Sequence, residues 1–363
     1  MAHFQTPKFI QIIHDWVGQH HTAAYAIAAV GVVIAVVGVG ALVMYQKPVE
    51  QQQPLAQTKK PEPAPPAKYY SPQTGNEVAT EAITKYAATA VMIENSPDAR
   101  PQSGLKAAGV VYEAVAEGGI TRFLALYQQD RPGLIGPVRS LRLYYVDWLA
   151  PYQPSVAHVG GSLFALNEIR NGNYRDIDQF FNPATYWRST DRYAPHNVYT
   201  NFERLDQLNA AKGYTTSDIK GFARKDAAPS PAPNATSINV GISGPLYNSS
   251  YTYDAASNSY QRSQAGAPHV DREAGQITPQ TVIVMKVGMQ RVMEDGYREQ
   301  ITTTGSGEAT IFQDGVVTVG TWNKANRGSQ ITFTAADGKE IPLNRGQTWL
   351  TAIPNTTGSV SWR

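Results

Sequence analysis

The 363-residue chain has no cysteine. That absence removes disulfides, thiolate nucleophiles and the usual thiolate zinc sites together, and with them any cysteine to carry a lipid anchor. Charge is scarce too: 17% of residues are Asp, Glu, Lys or Arg, against about a quarter in an ordinary globular protein. Net charge is +2 and no long run of like charge occurs. Nucleic acid is therefore not expected as a partner, since phosphate binding needs a concentrated basic face. No cofactor and no metal site is expected, and no internal repeat is visible.

What the chain does have is a long apolar run. Residues 23–45 carry no charge; at ~1.5 Å per residue they make about 34 Å of helix, enough for a hydrocarbon core of ~30 Å. A secretory apolar region is shorter, ~7–15 residues, and no small-x-small cleavage site follows. The run reads as an uncleaved transmembrane helix. Ahead of it, the short segment 1–22 carries Phe9, Ile10, Ile13, Trp16 and Val17, spaced as one face of an interfacial helix. Lys8 is the one Lys or Arg before the span, whereas Lys47, Lys59 and Lys60 follow it. That count favours a cytoplasmic C-terminal side, although large domains translocate largely regardless of it. Residues 46–70, rich in Pro and Gln, form an extended stalk.

Past the stalk the sequence divides into an α/β domain over 71–214, a linker over 215–236 that ends in KDAAPSPAPNAT, and a mainly-β domain over 237–363. In the first domain 88–94, 110–116, 121–128 and 155–159 read as strands; 137–149, 162–170 and 202–212 read as helices. In the second, Asp314-Gly315 and Asp337-Gly338 each join strand-like runs. Glycine accepts the positive φ of a tight primed turn, so both predict hairpins.

Three polar pieces stand in unusual places. A two-residue turn at Gly118-Gly119 sets Val115 opposite Arg122, and strand period two then puts Glu113, Glu117 and Arg122 on one face; a plain surface ion pair is the alternative. Next, Gly136-Pro137 reads as a helix start, which places Arg139 and Arg142 together in the first turns. Cations there oppose the helix dipole. An anion between the free N–H groups and both guanidinium forks would reverse that cost; solvated arginines, or pairs to Asp147 or Glu117, are the alternative. Last, His158-Val159-Gly160-Gly161-Ser162 marks a strand-to-helix corner with Ser162 as N-cap, where ligands sit in α/β sheets. Ser162 as a nucleophile with His158 as base lacks the G-x-S-x-G elbow. The stretch 171–201 adds Arg188, Arg192 and His196 among aromatics such as Phe180, Phe181, Trp187 and Tyr193. That composition suits a glycan, a peptide or an anionic head group, with a loop packed by its own aromatics as the alternative.

The same pieces carry a resemblance. MIENSPDARPQSGL (92–105), VYEAVAEGGITRFLALY (111–127), IGPVRSLR (135–142), HVGGS (158–162) and WRSTDRYAPHN (187–197) resemble the N-terminal domain of the DUF3048 family. YNSSYTYDAASNSYQR (247–262), PHVD (268–271), TVIVM (281–285), GSGEATIFQDG (305–315) and DGKEIPLNRGQTWLTAIP (337–354) resemble its C-terminal domain. The resemblance implies an extracytoplasmic, envelope-associated bacterial protein without an established enzymatic activity. Its motif residues fall here on Glu113, Glu117, Arg122, Arg139, Arg142, His158, Arg188 and His196. The chain departs from the family's lipoprotein pattern, because without cysteine the anchor has to be the helix.

The expected protein is thus a single-pass, membrane-anchored binding or regulatory module with its body outside the cytoplasm. Its expected ligand-binding set is Glu113, Glu117, Arg122, Arg139, Arg142, His158, Ser162, Arg188, Arg192 and His196. Expected partners are a cell-wall glycan, an anionic ligand or a peptidoglycan-synthesis protein. The alternative is a hydrolase or transferase on a phosphate- or carboxylate-bearing envelope substrate, with Glu117 or His158 as general base. A third reading makes the polar cluster a purely structural ion-pair network.

Overall fold

A computed structural model describes residues 7–44, 67–291 and 297–363. It falls into two units, 1–66 and 67–363. In the first, α1 (Lys8–Gln19) precedes α2 (His21–Met44). The stretch His21–Ala41 of α2 is long and apolar enough to cross a membrane. Tyr45 and most of the expected stalk, residues 46–66, lie outside the described residues.

The second unit is organised by one mixed ten-stranded sheet. Its strands are β1 (Thr89–Glu94), β2 (Val110–Glu117), β3 (Ile120–Tyr127), β4 (Ser155–Ala157), β5 (Arg175–Asp176), β6 (Thr281–Val287), β7 (Gly305–Gln313), β8 (Val316–Lys324), β9 (Thr332–Thr334) and β10 (Thr348–Pro354). Their spatial order is β9-β8-β7-β6-β10-β2-β3-β1-β4-β5. Strand β10 lies parallel to β2, Thr348 beside Val110, so the two sequence halves share a sheet and the cores that flank it. The central strands are apolar on both faces: every residue of β1 is buried. Such double burial requires cover on both sides.

The cover differs between the two faces. On one, helices α3 (Leu143–Leu149) and α4 (Leu163–Asn171) pack Tyr145, Trp148, Ala165 and Ile169 against Met92, Tyr112, Leu124 and Leu350. The other face carries α5 (Phe202–Ala211) and a five-stranded antiparallel sheet built from Ser237–Gly241, Ser249–Asp254, Ser259–Gln264, Ala267–Pro268 and Ser359–Trp362. Ile238, Tyr251 and Tyr260 of that sheet pack with Phe123, Val284 and Trp349.

The Asp314-Gly315 hairpin forms with the expected backbone, φ of 58° and 76°, the positive pair a primed turn requires. At Asp337-Gly338 only the glycine has positive φ, 81°. The Gly338 amide donates to the Ala335 carbonyl at 2.9 Å and Thr334 bridges Glu340, so the chain reverses there through a wider turn than the two-residue one expected. The helix expected over 137–149 is shorter, starting at Leu143. Residues before it run extended, because the amides of Val138 and Arg139 are taken by the carbonyls of Val198 (2.7 Å) and Met92 (2.8 Å). The stretch 171–201 is tied to the sheet through β5, and within it Trp187–Arg188 pairs with Val198–Tyr199 as a separate two-stranded ribbon.

Candidate functional site

The polar cluster begins with a β-bulge. Glu117 pairs with Ile120 as a two-residue turn demands, but the register then slips, so Val115 lies opposite Thr121 and Ala114 opposite Arg122. One extra residue, Ala116, turns the side-chain alternation over. Glu113 and Glu117 therefore project from opposite faces, which corrects the expectation that Glu113, Glu117 and Arg122 share one.

On the helix-covered face, Glu117 bridges two arginines. Its Oε1 accepts from Arg122 Nη2 at 2.8 Å; its Oε2 accepts from Arg142 Nη2 at 2.6 Å and Nε at 3.0 Å. The Nη1 donors reach backbone, Arg122 Nη1 to Ser140 O at 2.7 Å and Arg142 Nη1 to Leu141 O at 2.8 Å, while the buried Arg122 Nε makes no hydrogen bond. Burial alone would raise the Glu117 carboxyl, yet Arg122 and Arg142 together hold it below its usual range. Burial and the neighbouring Arg122 charge lower the Arg142 guanidinium. This triad is closed, with its charges spent on each other.

Arg139 does not join it. Lying in the extended segment, it approaches Glu94 instead, Nε to Oε1 at 3.2 Å, too poorly aligned for a hydrogen bond. The Arg139 side chain is 25% exposed, and among the described residues its terminal nitrogens have no partner. Glu94 also accepts from Ser96 Oγ at 3.0 Å and faces His196 Nδ1 at 2.9 Å, while its buried Oε2 has no hydrogen-bond partner. Arg139 and Arg142 are thus not paired forks at a helix start: one faces Glu94, the other Glu117.

The other expected residues are scattered. His158 is fully buried, its Nε2 at 3.0 Å from Asp176 Oδ1 and its Nδ1 at 2.8 Å from the carbonyl of Gly160. Ser162 stands at the N-cap position of α4 but makes no capping bond through its side chain. Exposed Arg188 donates to Asn197 Oδ1 at 2.7 Å. Arg192 spends its guanidinium on the carbonyls of Asp98 (3.2 Å) and Pro101 (2.6 Å). No group of three or more metal-ligating side chains occurs among the described residues.

Both sequence halves match models of one family. Residues 73–215 match "Protein of unknown function (DUF3048) N-terminal domain", and 238–350 match its C-terminal domain. The chain belongs to the DUF3048 family. It is 31% identical to the Bacillus subtilis (strain 168) protein named "Putative lipoprotein YerB", over 79% of this chain and 87% of that one. The crystal structure of the YerB protein from Bacillus subtilis superposes with a TM-score of 0.73 at 30% identity, covering 81% of this chain and all of the other. A lipoprotein relative and an apolar N-terminal helix together support a membrane-anchored envelope protein.

In this DUF3048 chain Glu113 has partners remote in sequence, which its own motif does not announce. On the sheet-covered face Glu113 Oε2 accepts from Arg262 Nη2 at 2.8 Å and from the Trp349 indole at 3.1 Å. Thr121 Oγ1 donates to the other oxygen and accepts from Asn95 Nδ2. Asn95 Oδ1 takes Gln102 Nε2, and Gln102 Oε1 takes His269 Nε2 at 3.0 Å. His269 Nδ1 then accepts from Arg262, closing a buried ring. Burial and the Arg262 charge hold His269 well below its usual pKa, so it is the neutral Nε2–H form. The alternation of SYQRSQ held a signal for this: Tyr260, Arg262 and Gln264 share a side, and an inward tyrosine brings the arginine with it.

Proposed function

We propose that this chain is a single-pass envelope protein whose body lies outside the cytoplasm and acts as a binding or regulatory module with Arg139 as its anion-recognising group. The observation that carries this is the contrast among the arginines. Arg122 and Arg142 are consumed by Glu117 and carbonyls, whereas the guanidinium end of Arg139 is left without an internal partner among the described residues. A fork of that kind recognises a carboxylate or phosphate bidentately. Glu94 offsets part of its charge, so affinity should be modest and salt-sensitive. A muropeptide carboxylate, a lipid-linked phosphate or an acidic loop of a peptidoglycan-synthesis protein all fit this chemistry.

The alternative of a hydrolase or transferase draws no support from its nominated bases. Glu117 is held ionised below the usual range, which makes it a poor proton acceptor. Both nitrogens of His158 are already engaged in a buried position. The test is thermal unfolding of the full chain in detergent with phosphate added at low salt. Binding should raise the melting temperature by the linkage relation RT ln(1 + [L]/Kd), and Arg139→Ala should remove the rise. No rise in the wild type, or a rise that survives Arg139→Ala, would overturn the reading.

A further inference from the structure

At the β5 edge of the large sheet a separate open cleft of about 370 Å³ lies between the end of α4, strand β5, the loop after it and the end of α5. Its lining includes Arg170, Asp176, Asp178, Phe181, Lys212 and Tyr214. We propose that this cleft binds a neutral glycan, one sugar ring at a time, independently of the anion site at Arg139.

Asp176 is the fixed point of the cleft. Its Oδ1 is fixed by His158 Nε2 at 3.0 Å and by the Asp178 amide at 2.9 Å. Its Oδ2 meets only Arg170 Nε, at 3.9 Å, beyond hydrogen-bond reach. One oxygen therefore locks the carboxylate and the other is left as an acceptor at the cleft. Burial opposes its charge, but the His158 ring, the Asp178 amide and Arg170 outweigh it and keep Asp176 ionised below the usual range. A fixed, ionised acceptor beside flexible donors is what a pair of vicinal hydroxyls requires.

The surroundings select a sugar over other ligands. Lys212 lines the cleft and makes no side-chain hydrogen bond or ion pair among the described residues. Asp178 is fully buried and paired with Arg170 at 2.9 Å. The lining charges, two cationic and two anionic, cancel, so nothing draws a phosphate or a carboxylate into the cleft. Phe181 is 67% exposed. One face of its ring is backed by the Arg170 guanidinium at 5.0 Å, and Tyr214 is held in turn by Arg175 at 5.4 Å. Aromatic rings braced by arginines and presented beside a carboxylate offer C–H faces of a pyranose a surface and its hydroxyls a partner. An apolar ligand would leave Asp176 and Lys212 unsatisfied, at a cost that decides against it.

The test is calorimetric titration of the full chain in a polyoxyethylene detergent, which carries no sugar. The probes are three uncharged oligosaccharides, an N-acetylglucosamine tetramer, cellotetraose and maltotetraose. At least one should bind, and Phe181→Ala should weaken it about tenfold or more. That exposed side chain can be removed without unfolding the body, so its result stands even if Asp176→Asn disturbs His158. Asp176→Asn should weaken the same probe, whereas Arg139→Ala should leave it unchanged. Binding of none of the three probes overturns the proposal, as does a wild-type affinity in Phe181→Ala. Loss of sugar binding in Arg139→Ala would also overturn it, by merging this cleft with the anion site. A failed phosphate response with intact sugar binding would remove only the earlier reading.

Discussion

The carboxylate of Glu113 meets the guanidinium of Arg262 at 2.8 Å, with both side chains wholly excluded from solvent and the two residues 149 positions apart in sequence. The pair joins the large sheet to the smaller one packed on it. Arg262 also lies over the Trp349 ring at 4.6 Å, and Phe123 stands edge-on to that tryptophan at 5.3 Å. Burial opposes the arginine's charge, but Glu113 and Tyr251 raise its pKa further. A polar ring this well satisfied fixes how the two sheets register, because any other packing strands a charge.

Removing one partner should therefore be costly. Arg262→Met is expected to destabilise the protein by about 3–5 kcal/mol, since it leaves Glu113 buried and uncompensated. Adding Glu113→Leu should recover much of that loss, because a packed apolar pair carries no desolvation penalty. Urea unfolding of both variants gives the coupling. A single-mutant cost under about 1 kcal/mol would show that the pair does not hold the sheets.

His269 in the same ring makes stability depend on pH. Its folded pKa is depressed, so as pH falls through about 6.5 the unfolded chain takes up a proton that the folded chain refuses. The stabilisation is complete above that pH and declines below it, by at most about 1.4 kcal/mol per pH unit. Glu117, also depressed when folded, adds its own loss only below about pH 4.3. Melting temperatures taken from pH 7 to pH 5 should fall in the wild type and stay flatter in His269→Gln. Parallel curves would contradict the assignment.

Local signals in the sequence were the ones that could be read. The Asp314-Gly315 turn needs positive φ at both positions and has it, a requirement written in two adjacent residues. What failed depended on remote partners. Period-two alternation from Glu113 to Glu117 breaks at the bulge at Ala116, and no local pattern announces that bulge. Gly136-Pro137 carries a helix-start signature, but the carbonyls of Met92 and Val198 capture the amides that follow. Arg139 and Arg142 consequently reach two different carboxylates. The site was legible as a set of polar motifs; its division into a closed triad, a buried ring and one open arginine was not.

The orientation of the body separates two sequence arguments. Lys47, Lys59 and Lys60 after the apolar helix favour a cytoplasmic body, whereas kinship with a lipoprotein favours an exported one. The export reading expects an alkaline phosphatase fused after Arg363 to be active and a green fluorescent protein there to be dark. The reverse pattern would vindicate the charge count.

Arg139 and Arg142 stand three residues apart yet should behave as opposites. Arg142 is buried and takes both Nε and Nη2 to Glu117 Oε2; without it, Glu117 keeps only Arg122. Arg142→Ala is expected to cost about 3 kcal/mol or more, as for any buried pair broken on one side, with no dependence on added phosphate. Arg139→Ala removes a partly exposed side chain whose contact with Glu94 is misaligned. Its cost should stay within about 1 kcal/mol, but the response to phosphate should vanish. Thermal unfolding of the two variants with and without phosphate reads both quantities. Two destabilised variants, neither altering the ligand response, would make the whole cluster a strut. The separation follows from where the chain runs: an extended segment sends successive side chains to different neighbours, and a helix would have aimed them together.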